Sequence, residues 1–540
     1  MPVLQATIKC HELIETAFLF YLFKMNADNV ISFKGETFWE ILLIDYRWII
    51  VCFFLLPMSF LYNLWFNIRN AIIFHLNSAP QAHDQKVQKV KQQVLKWNKT
   101  DKSKKMCTSR PGYQTMSFRT PLYKSNMFQV ECNLIDILEI DCKKQTVQVE
   151  PMATMGQISA TLAKIGWTMA IVPELEDLTV GGLIMGTGVE SSSHIYGLFQ
   201  HICESFELVL ADASVVKCSR EENSDLFYAI PWSYGTLGFL TCAEIKILPA
   251  TKYIRIEYES VFGLNNICRR FDEVSHNKSN HFVEGLQFGL NEAVIMTATM
   301  VPDHEVDLEK INDIGKWYKP WFFKYVDGIL KTHEKSNKFV EYMPLRAYYH
   351  RHSRALFWEL QDIVPFGNSI FFRYLFGWLM PIKISFLKLS QPKTVKQLYE
   401  KTQIIQDLLV PTSIMAECIR SLNKLVNVYP LWLCPFRLSQ QPGLVHPAEG
   451  LGNTMYVDIG VYGTVKVKRD QFHAKRTTRQ IEDIVVKANG FQMLYADTFR
   501  TYDEFRQMFD HRLYDRMRNK YNCQAAFVEI YDKINREVRD

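Results

Sequence analysis

Paired cysteines are missing from this chain of 540 residues. Its 12 cysteines stand singly, without a C-x-x-C and without histidine or cysteine at zinc-ligand spacing. That pattern excludes a disulfide framework, gives no metal site, and reads as free thiols in a reducing compartment. Strong charge of one sign is missing too. A formal net charge of +5, from 62 basic and 57 acidic residues, leaves no basic groove, so no nucleic-acid partner is expected. No complete G-x-G-x-x-G occurs, since GTGVES at 186–191 stops short of the third glycine. Without alternating strands and helices around it, a Rossmann unit is excluded. A cleavable signal is lacking as well: the apolar residues 13–23 carry Glu15, have no basic leader and end without a small-residue cleavage site. They are expected to be retained as an anchor.

The length suits two core-bearing domains plus an appendage. Residues 48–68, WIIVCFFLLPMSFLYNLWFNI, contain no charged residue, and as a helix they would cover the roughly 30 Å hydrocarbon core. Pro57, Asn63 and Asn67 are tolerable there, and Trp48, Tyr62 and Trp65 suit the interfaces. A single-pass transmembrane helix is expected, with a monotopic helix lying in one leaflet as the alternative. Arg69 and the lysines from Lys86 to Lys105 follow, so everything after the span is expected in the cytosol. Within that run, Val87, Val90, Val94 and Trp97 recur at helical spacing as the apolar face of a solvated amphipathic helix.

Glycine and small polar residues concentrate at 179–199, TVGGLIMGTGVESSSHIYGLF. Such a loop can bring many backbone N–H groups to one anionic ligand. Before it, residues 136–150 read as a hairpin around a Lys-Lys turn, and residues 155–165 as a helix with Thr154, Met155 and Gly156 at its N-terminus, stopped by Gly166. Residues 208–218 and 241–247 read as further strands and 225–229 as a short helix, an α+β pattern. Beyond residue 250, residues 281–290, 291–301, 428–438 and 453–463 read as strands of an antiparallel sheet. The dense aromatic stretch at 365–381 reads as an apolar tunnel wall or a membrane-docking surface.

The order TVGG, a Gly/Ser loop ending in YG, LVLAD, DLF and G-x-x-G-F resembles the FAD-binding (PCMH-type) domain of the vanillyl-alcohol oxidase flavoprotein superfamily. Within it, PELEDLTVGGLIMGTGVESSSHIYGLFQ at 173–200, FVEGL at 282, YKPWFFK at 318, FWELQDIVPFGN at 357, QPGLVHP at 441 and GFQMLYAD at 490 are similar to the delta-24 sterol reductases, the diminuto or seladin group. The resemblance implies an N-terminal segment at 1–47, the transmembrane helix at 48–68 and a basic juxtamembrane helix at 69–105. An FAD-binding domain at 106–250 and an antiparallel-sheet cap or substrate domain at 251–489 follow, and residues 490–540 return to the FAD domain.

The same resemblance implies FAD and NADPH as cofactors. Arg110 and Gly112 would lie in a first pyrophosphate loop, and Thr179, Gly181, Gly182, Gly186, Thr187, Gly188 and Ser191 in and after a second. Thr154, Met155 and Gly156 would face the dinucleotide, and Gly235 and Gly238 would sit beside the ring or ribityl chain. The first loop, CTSRPGYQT, lacks the histidine that often joins the flavin in this superfamily, which implies non-covalent FAD, with His194 the only other candidate in the second loop. The implied activity is reduction of the side-chain double bond of a sterol. Because an isolated alkene is not electrophilic, a proton donor is needed, and Glu284, Tyr495, His350 and His352 are candidates; Glu284, Tyr456 and Asp458 compete for positions facing the ring. An aldonolactone or hydroxy-acid oxidase on the same fold, and a non-catalytic sterol-binding membrane protein, remain the alternatives. The implied setting is the endoplasmic reticulum membrane, with a sterol and membrane lipid as partners and homo-oligomerisation left open.

Overall fold

The computed structural model describes residues 46–114, 122–332, 338–391, 393–447, 450, 452, 454–467 and 472–538. The expectations for residues 1–45, the anchor at 13–23 among them, and for Thr115 lie outside this set.

A short parallel pair, β1 (Met106–Thr108) and β2 (Phe128–Val130), precedes the first large sheet. That sheet comprises β3 (Ile137–Asp141), β4 (Thr146–Val149), β5 (Trp167–Met169), β6 (Cys203–Val209), β7 (Val215–Ser219) and β8 (Phe239–Pro249). All pairings are antiparallel, in the order β3-β4-β8-β6-β7 with β5 also on β8. The expected hairpin at 136–150 is β3 and β4. The single strand expected at 208–218 is instead the turn of a second hairpin: the chain reverses between Val209 and Val215, where Ala213 takes φ 68°. The helix Met155–Ala163 is capped by Thr154, whose hydroxyl accepts the Gln157 N–H.

The second sheet contains β9 (Tyr253–Phe262), β10 (Phe282–Gly289), β11 (Glu292–Val301), β12 (Lys338–Pro344), β13 (Gln403–Pro411), β14 (Leu431–Arg437), β15 (Met455–Thr464) and β16 (Phe491–Gln492). Its order is β12-β9-β11-β10-β14-β15-β13-β16, antiparallel throughout. Side chains of a strand alternate between faces. Val283, Leu433, Ile459 and Leu408 point one way and form a core with helices Leu264–His276, Met415–Leu425 and Ala474–Lys487. Glu284, Trp432, Asp458 and Asp407 point the other way, towards the first sheet.

The apolar N-terminal segment is a helix, Arg47–Leu76, with one wide turn at Val51–Leu55. It runs on past Arg69, beyond the end expected at residue 68. Val51, Cys52, Leu55, Leu56 and Ser59 form a buried stripe at helical spacing. Three polar contacts tie it to the folded body. Arg47 donates to Ser390 Oγ at 3.0 Å, the Leu387 carbonyl at 2.8 Å and Tyr399 Oη at 2.6 Å. Ser59 Oγ accepts the Lys383 N–H at 3.0 Å, and Arg69 binds the Asp136 carboxylate at 2.6 Å. The next helix, Ala79–Asn98, buries Val87, Val90, Val94 and Trp97 as expected, but its polar face is not simply solvated: Lys86 Nζ lies 2.7 Å from both Asp136 and Glu150. Near the other terminus, helix Arg512–Lys520 packs back on helix Ser224–Ala229 and the loop before β8, Tyr514 Oη 2.7 Å from Thr236 Oγ1 and Arg518 donating to the Thr236 carbonyl at 2.8 Å.

Candidate active site

Between the two sheets lies a cavity of about 670 Å³, within the range of cofactor and small-molecule sites. Arg110, Thr179, Gly181, Gly182, Gly186, Thr187, Gly188, Gly235, Gly238 and Tyr495 line it. Asp458, taken up below, lines it too, and the other residues singled out from sequence sit behind the wall. Thr154 caps its helix, with Met155 buried beside it. A Cβ on Gly156 would meet Glu176 Cβ at 2.9 Å. Ser191 Oγ accepts from Tyr348 Oη at 3.0 Å. Gly112 begins a short 3-10 turn next to Pro111, which does reach the cavity. His194 is buried, its ring nitrogens each 2.9 Å from the carbonyls of Ser191 and Asn280. His350 is buried against Ser159 Oγ at 2.7 Å and the Glu174 carbonyl.

The glycines divide by what a side chain would meet. At Gly181, Gly186 and Gly188 an added Cβ would come within 2.8 Å of Pro151, of the Gly182 carbonyl and of Leu183 respectively, so the protein's own packing requires them. Gly182 has only Thr179 Oγ1 near, at 3.1 Å, and Gly235, at φ 68°, has nothing within 4 Å. These two backbones are bare towards the cavity. Thr187 Oγ1 and Arg110 Nε are buried with no hydrogen-bond partner among the described residues. Bare backbone, a free hydroxyl and a guanidinium N–H form a donor set suited to an anionic dinucleotide.

Opposite the glycines, the second sheet contributes an acid pair. Asp407 on β13 and Asp458 on β15 both line the cavity and are buried. The register pairs Asp458 with Leu409, so the carboxyls are diagonal neighbours on one face. Asp407 accepts hydrogen bonds from Tyr462 Oη and Tyr495 Oη. Burial raises its carboxyl to about 6, while the two phenols pull the other way. Asp458 has no donor on either oxygen among the described residues. Burial, and then the negative charge of Asp407, lifts its carboxyl well above the usual range. The shift favours the acid form of Asp458, with Asp407, held by its two phenols, as the diagonal neighbour. Asp407 was missed in the sequence because nothing there joins it to Tyr495, 88 residues away.

Glu284 lies outside the cavity wall. Arg351 grips both its oxygens, at 2.6 and 2.7 Å, and reaches Glu190 at 2.9 Å, with no part of these side chains exposed. Burial opposes ionisation of Glu284, but Arg351 and His352 outweigh it and hold the carboxyl well below the usual range. An ionised carboxylate has no proton to give. Instead it accepts Trp432 Nε1–H at 3.1 Å and so fixes an indole that does line the cavity. His352 lies 3.3 Å from Glu284, stacked on Phe357 with centroids 4.4 Å apart, also outside the wall. Tyr456 stacks on Phe436 away from the cavity.

Residues 114–219 match a family described as FAD binding domain. The Delta(24)-sterol reductase of Homo sapiens is 53% identical over 500 residues, covering 93% of this chain and 95% of its own length. That of Rattus norvegicus gives the same figures, and the Delta(24)-sterol reductase homolog dhcr-24 of Caenorhabditis elegans is 45% identical over 531 residues, 95% of this chain and 100% of its own length. The chain belongs to the delta(24)-sterol reductase family. As a member of that family it is an FAD enzyme, and the matched domain includes the whole glycine loop from Thr179 to Gly188.

Proposed function

We propose that this protein reduces the delta-24 side-chain double bond of a sterol, with FAD bound non-covalently in the cavity and NADPH as electron donor. The carrying observation is Asp458, buried with no donor on either oxygen among the described residues, set in an aromatic wall across from the bare glycine backbones. An isolated trisubstituted alkene does not accept hydride unaided. Protonation of the less substituted carbon leaves positive charge on the tertiary one, and a positioned acid is what this step needs. Asp458 is the donor in this reading. Asp407, itself held by Tyr462 and Tyr495, is the neighbour through which solvent returns its proton. Bound FAD supplies the hydride. Arg110, Thr187 and the backbone at Gly182 and Gly235 would hold the cofactor, and no histidine is among the described residues that line the cavity, which supports a non-covalent mode.

In the same reading, residues 106–250 with 490–540 act as the FAD-binding unit and residues 251–489 as the cap. The working surface is the endoplasmic reticulum membrane, with the body on its cytosolic side. The wall formed by Trp432, Phe357, Leu356 and Ile363 suits a hydrocarbon side chain better than an aldonolactone. The test is anaerobic: NADPH should bleach the flavin of the purified protein and a delta-24 sterol should restore its colour. Indifference to the sterol with rapid re-oxidation by oxygen would favour the oxidase alternative. Acid precipitation should leave yellow flavin in the supernatant.

A further inference from the structure

We propose that helix Arg47–Leu76 does not cross the membrane but lies in the plane of a single leaflet, forming with the stretch Ile370–Leu379 one lipid-docking face beside the cavity.

The geometry of the anchors carries this. Arg47, Ser59 and Arg69 each bond to the folded body, to Ser390 and Tyr399, to Lys383 and to Asp136. From Arg47 to Arg69 a helix rises about 33 Å, slightly more than the hydrocarbon core is thick, about 30 Å. A helix crossing perpendicularly would drag those partners to opposite membrane faces and push the body between them, with Asp136, Lys86 and Glu150 among the groups displaced. Hydrocarbon would not accept them. The helix therefore runs along the body.

Its outer side is apolar. Phe54, Leu61 and Trp65 are each more than half exposed, as are Ile370, Phe371 and Leu375 from the second stretch. The two stretches are one surface, because Phe53 meets Phe376 at 5.6 Å and Phe60 meets Trp378 at 5.3 Å. An exposed apolar patch of this extent on a folded protein marks an interaction site. Exposed Trp317 and Tyr318 adjoin it, Trp317 meeting Tyr374 at 5.3 Å, with Lys316 and Lys319 flanking them in sequence. Amphipathic aromatic rims and lysines are the composition of a membrane interface, which is why a lipid leaflet and not a protein is the occupant we commit to.

Among the described residues, one short helix lies between this face and the cavity. Ile384 and Leu387 of helix Ile384–Leu389 line the cavity, while the Leu387 carbonyl binds Arg47 and Phe386 meets Tyr62 at 5.8 Å. Resting on the proposed sterol substrate, this adjacency puts the docking face beside the place where a substrate drawn from the leaflet would be bound.

Two measurements that do not read activity test the docking face, so its failure is separable from failure of the sterol reading. First, Tyr46→Cys in the full chain places a thiol at the exposed start of the helix, to be compared with native, exposed Cys142 on the body. With a membrane-impermeant maleimide on sealed microsomes, read by peptide mass, both sites should react alike without detergent. Reaction of Cys142 alone would mean that the helix crosses and would overturn the proposal. Protection of both would keep the helix on the body's side and overturn only the cytosolic assignment. Second, the triple variant Phe54→Asp, Leu61→Asp, Leu375→Asp should retain its flavin absorbance, while its fraction floating with phosphatidylcholine–phosphatidylethanolamine vesicles falls about tenfold or more. Flotation equal to wild type, with flavin retained, would overturn the docking face.

Discussion

The two faces of the eight-stranded sheet are built from adjacent residues and do different work. Towards helices Leu264–His276 and Met415–Leu425 the strands present Val283, Leu433, Ile459 and Leu408. One residue along, towards the cavity side, the same strands present Glu284, Trp432, Asp458 and Asp407. Both faces are buried, so burial does not separate them. What separates them is whether burial is relieved: hydrocarbon needs no partner, whereas each buried acid must be paired, hydrogen-bonded or protonated. Glu284 is paired with Arg351, Asp407 is hydrogen-bonded to two phenols, and Asp458 has no donor among the described residues and is pushed towards its acid form by burial, so one face carries three solutions to one problem. Of the three, Asp458 is the one that no donor holds in its ionised form.

Replacing Asp458 with Asn should have the largest effect. Single-turnover re-oxidation of the reduced flavin by a delta-24 sterol should slow about 100- to 10,000-fold, with flavin content unchanged. Loss of flavin in step with activity would move Asp458 from chemistry to architecture. On the same face Glu284→Gln should act through stability, lowering it by about 3–5 kcal/mol in thermal or urea melts because Arg351 loses its bidentate partner inside the protein. On the opposite face Leu433→Ala should cost about 2–5 kcal/mol by opening a cavity, while turnover per bound flavin stays at the wild-type value. A fall in turnover would mean that the faces are coupled through the backbone.

The smallest effect is expected at Glu359, on the cavity wall. Burial and then the like charges of Asp362 and Asp407 push its carboxyl up from 4.5 to about 8. Between those values the folded chain keeps a proton that the unfolded chain has released, so this group makes stability fall as pH rises. From pH 5 to 7, below the region where Lys388, lowered to about 7, begins to act with the opposite sign, Glu359→Gln should flatten the decline. The change is bounded by one proton, about 1.4 kcal/mol per pH unit. An unchanged slope in Tm against pH would assign the decline to the other raised acids of the cavity.

Much of this was legible in the sequence where the signal is local. The hairpin of β3 and β4, the capped helix after Thr154 and strands β10, β11, β14 and β15 follow from alternation and turn residues within short windows. The glycine loop stood out in the sequence and does line the cavity, but its glycines look alike there, and only packing distinguishes Gly182, open to the cavity, from Gly188, pressed on Leu183. The hairpin at 203–219 was read as one strand at 208–218 because its turn, LADAS, has no glycine or proline to mark the reversal. Strand β13 was not recognised, since QIIQDLLVP carries Gln406 and Asp407 in its middle, and those are buried only because β15 and residues 492–497 come to meet them. Glu284 drew attention for a sound reason, a carboxylate in an apolar strand. Its counter-ion lies 67 residues away, out of reach of any pattern in FVEGL.

The return of the chain's last helices has a consequence for the order in which the enzyme is made. Lys533 is part of the cavity wall and its ammonium binds the Tyr234 carbonyl, beside bare Gly235, while Tyr514 and Arg518 brace the neighbouring Thr236. During synthesis the glycine loop emerges hundreds of residues before these partners exist. The nascent protein can fold its first sheet early, yet the cavity has no complete wall until the ribosome has delivered residue 533. If this wall is needed to hold the cofactor, a nascent chain arrested at residue 500 should be captured without flavin.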